Sequence, residues 1–267
     1  MQIEIKKISP DEAEEKIDIN IKTWYTTYKG ILPIEVIDKC QAKTKERIEK
    51  EKEAIKEKNN IYGMYVDNKL VGYASYGAAR DEKYKGSGEI ISCYILEEYQ
   101  HHHLGRKVVI KILEDLIEEG YQTMITRCLV GNPSNRFHAS IGGKIVGQGT
   151  INLQGDEFAE NIYYHKDLKK SLKLNQVKEK GIIKEEENRL EYLLDEEEIG
   201  EVEYKIIGDK TVDIYHTYVD PDYQGLQIAS ILMTELFKKL QKENLKVIAS
   251  CSYADHWLKK HPEYRNN

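Results

Sequence analysis

The sequence predicts an α/β (α+β) fold built twice, as two domains that each hold a mixed, mainly antiparallel sheet flanked by helices. Three observations predict it. Cys93-Tyr94-Ile95-Leu96-Glu97-Glu98-Tyr99-Gln100 recurs 124 residues later as Thr217-Tyr218-Val219-Asp220-Pro221-Asp222-Tyr223-Gln224, a spacing that indicates duplicated domains rather than a solenoid. The match continues without a gap, setting Leu104 on Ile228, Gly105 on Ala229, Val108 and Val109 on Leu232 and Met233, and Ile112 and Leu113 on Leu236 and Phe237. Both copies read strand, short polar loop, amphipathic helix, and antiparallel strand patterns precede each of them.

In chain order, a strand over 2–7 leads to helices over about 10–28 and 34–57. Strands over 60–66 and 70–77 flank the turn Asp67-Asn68, residue types that tolerate left-handed backbone. A strand over 88–95 enters the first repeated loop. The helix over 104–119 rests on Val108, Val109, Ile112, Leu113, Leu116 and Ile117, which recur at the 3.6-residue period of one buried face. A strand over 123–130, a helix over 133–141 and strands near 143–152 and 158–165 close a first domain, 1–166. Composition turns Lys-rich from His165 to Gly181, so 167–181 is expected as a linker or as a last helix. The second domain, 182–267, is expected to hold strands over 189–194, 199–207 and 211–219. A helix over 226–243 follows from Leu232, Met233, Leu236, Phe237 and Leu240, then a strand over 245–250 and a short helix over 253–260.

The 267 residues include 40 Lys or Arg and 46 Asp or Glu, for a formal charge of −6. That argues against a nucleic-acid partner, whose phosphates need a basic surface. The 40% hydrophobic and 32% charged content fits a globular chain. No run approaches the roughly 18 apolar residues of a membrane span, and the first residues lack the apolar stretch of a secretory signal. No membrane partner and a cytoplasmic location are therefore expected. Cys40, Cys93, Cys128 and Cys251 show no paired spacing, which indicates neither a disulfide framework nor a zinc knuckle. The consecutive His101, His102 and His103 cannot easily converge on one ion, and no metal is expected.

A strand running through a tight loop into a helix aims free backbone N–H groups and the positive end of a helix dipole at one point. An acidic chain can hold a polyphosphate there, because the donors are main-chain groups. Gln100-His101-His102-His103-Leu104-Gly105-Arg106 and Gln224-Gly225-Leu226-Gln227-Ile228-Ala229-Ser230 resemble the Q/R-x-x-G-x-G/A loop of the GNAT acetyltransferases, which wraps the pyrophosphate of acetyl-CoA. Trp24-Tyr25-Thr26-Thr27-Tyr28-Lys29-Gly30-Ile31-Leu32-Pro33 is similar to the W-x-x-x-Y-x-G-x-x-P entry helices that line the acceptor side. Asn132-Pro133-Ser134-Asn135-Arg136-Phe137-His138, with Gly142-Gly143-Lys144 after it, resembles the N-x-x-A-x-x-F-Y-x-x-x-G-F/G segment. Four motifs thus stand in family order over about 1–166. From about 182 to 265, His216-Thr217-Tyr218-Val219, Cys251 and His261-Pro262-Glu263-Tyr264 resemble a compact GNAT-related group.

The resemblance implies an acetyl-CoA-dependent N-acetyltransferase that moves acetyl to a primary amine, a small molecule or a protein amino group, by direct attack in a ternary complex. The alternative is a noncatalytic acyl-CoA-binding or protein-interaction module. By resemblance the donor lies on backbone groups of Ile95 and of Gln100, His103, Leu104 and Gly105, near Arg106 and Lys107 and close to Asn132 and Asn135. In the second domain Val219, Gln224, Gly225, Gln227, Ala229 and Ser230 take those places. Trp24 and Tyr28 either wall the acceptor pocket or belong to the core. Glu89 is the candidate acceptor of the amine proton. His138 stands where the family pattern has a tyrosine, and imidazole can give up a proton to the CoA thiolate near neutral pH. Cys251 is either a thiolate nucleophile or a packed thiol. Both loops place a bulky residue, His103 and Gln227, at the first glycine of the motif. Such residues are expected to keep the backbone donor only if their local conformation is right-handed or extended.

Overall fold

The computed structural model describes residues 1–208 and 210–264, and its contacts divide the chain between Asn175 and Gln176 into two units. The first unit runs β1 (Ile3–Lys7), α1 (Ala13–Thr27), α2 (Ile34–Cys40), α3 (Lys45–Lys58), β2 (Ile61–Val66), β3 (Lys69–Ala78) and β4 (Gly88–Ile95). It continues with α4 (Leu104–Glu118), β5 (Met124–Leu129), α5 (Asn135–Ser140), β6 (Lys144–Leu153), β7 (Asp156–His165) and the start of α6 (Leu168–Lys180). Seven strands hydrogen-bond in the order β1-β2-β3-β4-β5-β7-β6, and only β4 and β5 run parallel. The apolar stripe of α4, including Val108, Ile112 and Leu116, is buried against Met64, Ala74, Ile90 and Met124 on one face of this sheet. Ala13, Ile19 and Ile55 of α1 and α3 cover the other face at Tyr65, Leu70 and Tyr73.

One expectation changes here, and the choice left open for the Lys-rich stretch is decided. The helix expected over 34–57 is broken, because Thr44 Oγ1 accepts the Arg47 N–H and starts a new helix at Lys45, the usual act of an N-cap threonine. The Lys-rich stretch is helical over Leu168–Lys180, and Leu168 and Val177, on opposite sides of α6, bury almost completely. The unit boundary falls inside that helix.

The second unit contains β8 (Ile182–Glu186), β9 (Arg189–Leu194), β10 (Glu197–Gly208), β11 (Thr211–Val219), α7 (Ile228–Lys242), β12 (Lys246–Ala249) and α8 (Ser252–Lys260). Its sheet order is β12-β11-β10-β9-β8, with β11 and β12 parallel. β8 was not foreseen: it is an outer strand whose five residues show no apolar alternation. Leu232, Met233, Leu236, Phe237 and Leu240 of α7 are fully buried. The last three residues of the expected second domain, 265–267, lie outside the described residues. Among the described residues no helix is long and apolar enough to cross a membrane.

The repeat reaches into the backbone. In the first sheet Ser75 faces Ser92 while Tyr76 faces Ile90, so Ile91 is an extra residue. In the second, Glu203 faces His216 while Tyr204 faces Ile214, so Tyr215 is extra. Ile91 and Tyr215 occupy the same position of the repeat. Parallel pairing then ends at Ile90–Thr126 in one unit and at Ile214–Ala249 in the other, again at one shared position. A bulge bends its strand, so β4 parts from β5, which runs on to Leu129, and a wedge opens between them; in the second unit β12 pairs along its whole length and ends at Ala249. Gly72 faces Ile95 and Gly200 faces Val219 at the C-terminal ends of β4 and β11. A Cβ at Gly72 would stand 2.7 Å from the Tyr94 carbonyl oxygen, and one at Gly200 3.1 Å from that of Tyr218. Overpacking of this kind costs about 1–3 kcal/mol. Gly72→Ala should therefore lower denaturant stability by that amount, and a variant as stable as the parent would contradict the close β3–β4 approach.

Candidate active site

At the C-terminal ends of β4 and β11 the chain repeats one hydrogen-bond scheme. Leu96 N–H donates to Val71 O, and because strand groups alternate sides, the backbone of Ile95 faces away from β3 into the wedge. Its carbonyl accepts Gln100 Nε2 at 3.1 Å. In the second unit Asp220 N–H donates to Ile199 O and the Val219 carbonyl accepts Gln224 Nε2 at 3.3 Å. The loops that follow have positive φ at His101 (64°) and Gly225 (76°), and again at His103 (62°) and Gln227 (69°). This corrects the expected right-handed or extended backbone. Both bulky residues adopt the left-handed conformation that glycine would take, at a cost of roughly 1–2 kcal/mol for a residue with a Cβ. The main-chain path of the loop is thus kept although its glycines are not. The first turn of a helix leaves its N–H groups without intrahelical partners, and the starts of α4 and α7 place such groups directly after these loops. Gly105 must be small, because a Cβ there would meet the Phe137 ring at 3.1 Å.

The side chains expected on the donor are mostly occupied. Arg106 Nη1 donates to Asn175 Oδ1 at 2.8 Å. Ser230 Oγ accepts Trp257 Nε1 at 2.9 Å. Leu104 is buried in the core, and Lys107 contributes its N–H to His103 O. Asn132 Oδ1 accepts the Ser134 N–H at 2.8 Å. Asn135 Nδ2 donates to Leu129 O and Asn132 O, while its Oδ1 accepts from Asn161 and the Tyr163 hydroxyl. These bonds build the turn between β5 and α5. What the loops present is main chain.

The proton-transfer candidates also stand differently from expectation. Glu89 is 1% exposed and accepts the Arg80 backbone N–H at 2.9 Å, Nη2 at 2.6 Å and Nε at 3.2 Å. Arg127 lies 3.9 Å away and bridges Asp81 at 2.6 Å and Glu160 at 2.5 Å. The Glu89 carboxylate is thus held between two arginines. Burial pushes the His138 imidazole down to about 4, so at neutral pH it is uncharged and cannot act as an imidazolium donor. Its Nδ1 lies 2.8 Å from Thr126 Oγ1 and its ring stacks on Tyr163. His165 is pushed down to about 4 by burial and then by His138. The half-buried Cys251 thiol donates to Thr217 Oγ1 at 3.5 Å. Among the described residues no group of three or more His, Cys, Asp or Glu side chains converges as metal ligands would.

Trp24 and Tyr28 meet edge to face, 4.9 Å between ring centres, and pack on Leu32, Ile37 and Leu129. The pair is thus packed into a small apolar cluster. The Tyr28 hydroxyl lies 3.1 Å from that of Tyr94, and burial raises both above the ordinary tyrosine value. Sequence reasoning missed Tyr94, although it lies inside the repeat and alternates with Cys93 and Ile95 on β4. It also missed Arg127 and Thr126, for which no sequence motif speaks.

A model of the GNAT acetyltransferase family matches residues 21–142, and one for GCN5-related N-acetyl-transferases matches residues 189–267. The chain belongs to the GNAT family, with two of its domains in tandem. Acetyl-CoA-dependent transfer to an amine-type acceptor comes with that membership. The chain is 25% identical over 162 residues to the uncharacterized N-acetyltransferase YuaI of Bacillus subtilis, covering 59% of this chain and 90% of that one. It is 25% identical over 127 residues to a spermidine N(1)-acetyltransferase of Thermoplasma acidophilum, covering 45% and 74%. The crystal structure of the PaiA N-acetyltransferase of the same organism, in complex with coenzyme A, aligns at a TM-score of 0.48 and 22% identity, covering 60% of this chain and 98% of that one.

Both GNAT loops fit acetyl-CoA by their backbone: left-handed residues at matched positions, a small residue at the helix start and an outward-facing strand end. The two depressed histidines of the first GNAT domain set its pH response. The unfolded chain protonates near 6.5 and the folded chain near 4, so stability is full above pH 6.5 and is lost as pH falls toward 4. The slope should approach roughly 1.4 kcal/mol per pH unit per ring. Denaturant unfolding at pH 7 and pH 5 checks this, and equal stabilities would contradict it.

Proposed function

We propose that the first domain transfers acetyl from acetyl-CoA to a primary amine by direct attack in a ternary complex. The observation that supports this reading is the wedge left where β4 parts from β5 at Ile90 and Thr126, with the left-handed loop at its mouth. Bound there, acetyl-CoA supplies the activated thioester. The outward backbone of Ile95 would orient the pantetheine arm, and the N–H groups that open α4 would hold the pyrophosphate. Tyr28 and Tyr94 stay protonated because of their burial, and so offer neutral hydrogen-bond donors beside Trp24 on the acceptor side. Asp81, Glu89 and Glu160 outnumber Arg80 and Arg127, leaving one net negative charge in that network. The charge favours a cationic amine at this face, while the amine proton leaves to water rather than to the clamped Glu89. Uncharged His138, set by Thr126, acts as a hydrogen-bonding group. A polyamine suits a negatively charged acceptor face, and the name of the Thermoplasma relative agrees with that choice.

For the second domain, one observation favours acyl-CoA binding without catalysis. The Trp24–Tyr28 pair of the first domain comes from α1 and the residue that ends it, and in the second unit the end of α6 is what precedes the sheet. Cys251 then has a packing role, its thiol bonded to Thr217.

The loop reading is checked with two substitutions at one exposed residue. Proline cannot adopt the φ of 62° found at His103, whereas glycine adopts it freely. In calorimetric titrations of the full chain, His103→Pro should remove one acetyl-CoA site and abolish CoA release with amines. His103→Gly should bind as well as the parent or tighter by up to about 1 kcal/mol. Unchanged binding by His103→Pro would contradict the proposal.

A further inference from the structure

Two sequence features have no part in acetyl transfer as described: the Lys-rich run ahead of the second domain, and Gln227 where the loop motif has glycine. The structure brings them together. Lys178, half-buried near the end of α6, places its Nζ 2.8 Å from Gln227 Oε1. Gln227 precedes α7 with φ 69° and ψ 9°, and its side chain makes no capping bond to that helix. A glycine would hold this conformation without strain, so the contribution of the glutamine side chain is its bond to Lys178. The two loops also differ in charge. The first helix opens with Arg106 and Lys107, whereas Gln224-Gly225-Leu226-Gln227-Ile228-Ala229-Ser230-Ile231 contains no basic residue. A cation beside this loop therefore has to come from another element of the chain.

We propose that Lys178 is the phosphate-binding cation of the second domain, delivered to the loop by α6 and held in place by Gln227. The inference rests on reading 224–230 as a pyrophosphate cradle. An ammonium on a flexible stem serves polyphosphate as a point charge, and at this place it adjoins the left-handed residue of the loop. The missing glycine and the Lys-rich helix then have a single explanation.

The test uses the full chain carrying His103→Pro, so that the second site is read alone, and titrates it with acetyl-CoA and with S-acetylpantetheine, which lacks the pyrophosphate. Lys178→Gln should weaken acetyl-CoA binding about tenfold, as expected for a lost charge-assisted contact, and flatten its dependence on salt. Lys178→Arg should restore both, and S-acetylpantetheine should bind Lys178→Gln and its parent alike. If Gln227→Pro abolishes acetyl-CoA binding while Lys178→Gln leaves affinity and salt dependence unchanged, the role of Lys178 is overturned and the cradle stands. If Gln227→Pro changes nothing, the cradle reading of the second loop fails and the proposal fails with it. Equal weakening of acetyl-CoA and S-acetylpantetheine by Lys178→Gln would also overturn it, since a merely structural lysine would act on both.

Discussion

A single extra residue in a strand, Ile91 in β4, sets the geometry on which the first domain depends. The bulge turns the second half of β4 away from β5, so that parallel pairing stops at Ile90 and Thr126. Backbone groups that would otherwise be spent on the sheet ladder become available. Tyr215 is the matching extra residue in β11, whose parallel neighbour β12 ends at Ala249. The flanking features are matched as well: Gly72 and Gly200 admit close approach at the ends of β4 and β11, and Gln100 and Gln224 tie the turn to the last strand carbonyl. Two stretches that share few side chains thus share one backbone device.

Building the cradle from main chain explains how the loops depart from their sequence pattern. A backbone N–H has the same charge distribution whichever residue carries it, so His103 and Gln227 can replace glycine if the fold holds them left-handed. The strain is of order 1 kcal/mol per residue, small beside the burial of α4 and α7 against their sheets. It also frees side chains for other work: Asn135 satisfies the turn after β5, Arg106 reaches Asn175, and Glu89 sits in an ion network with Arg80 and Arg127. Burying Glu89 without such partners would cost several kcal/mol, so its pairing is a condition of its place in the sheet.

Much of this fold was legible in the sequence, for physical reasons. The period of Val108, Ile112 and Leu116 can only be buried by a helix, and the ungapped repeat carried that assignment to α7. The edge strand β8 was illegible because an exposed outer strand needs no apolar alternation, and the break before α3 depended on a single capping threonine. At the site, the positions of the loops could be read but not their conformation, since φ at His103 is imposed by its surroundings and not by its side chain. The proton-transfer candidates were chosen by residue type. Their environments, an ion clamp on Glu89 and burial of His138, come from strands and helices distant in sequence, where no local motif could report them.

Amide hydrogen exchange measures these main-chain donors one by one. With acetyl-CoA added to the full chain, exchange should slow at residues 92–95 and 101–106, and at 216–219 and 225–230, while adenosine alone should leave those amides unchanged. Acetyl-CoA binding seen by calorimetry without protection of these segments would contradict the account.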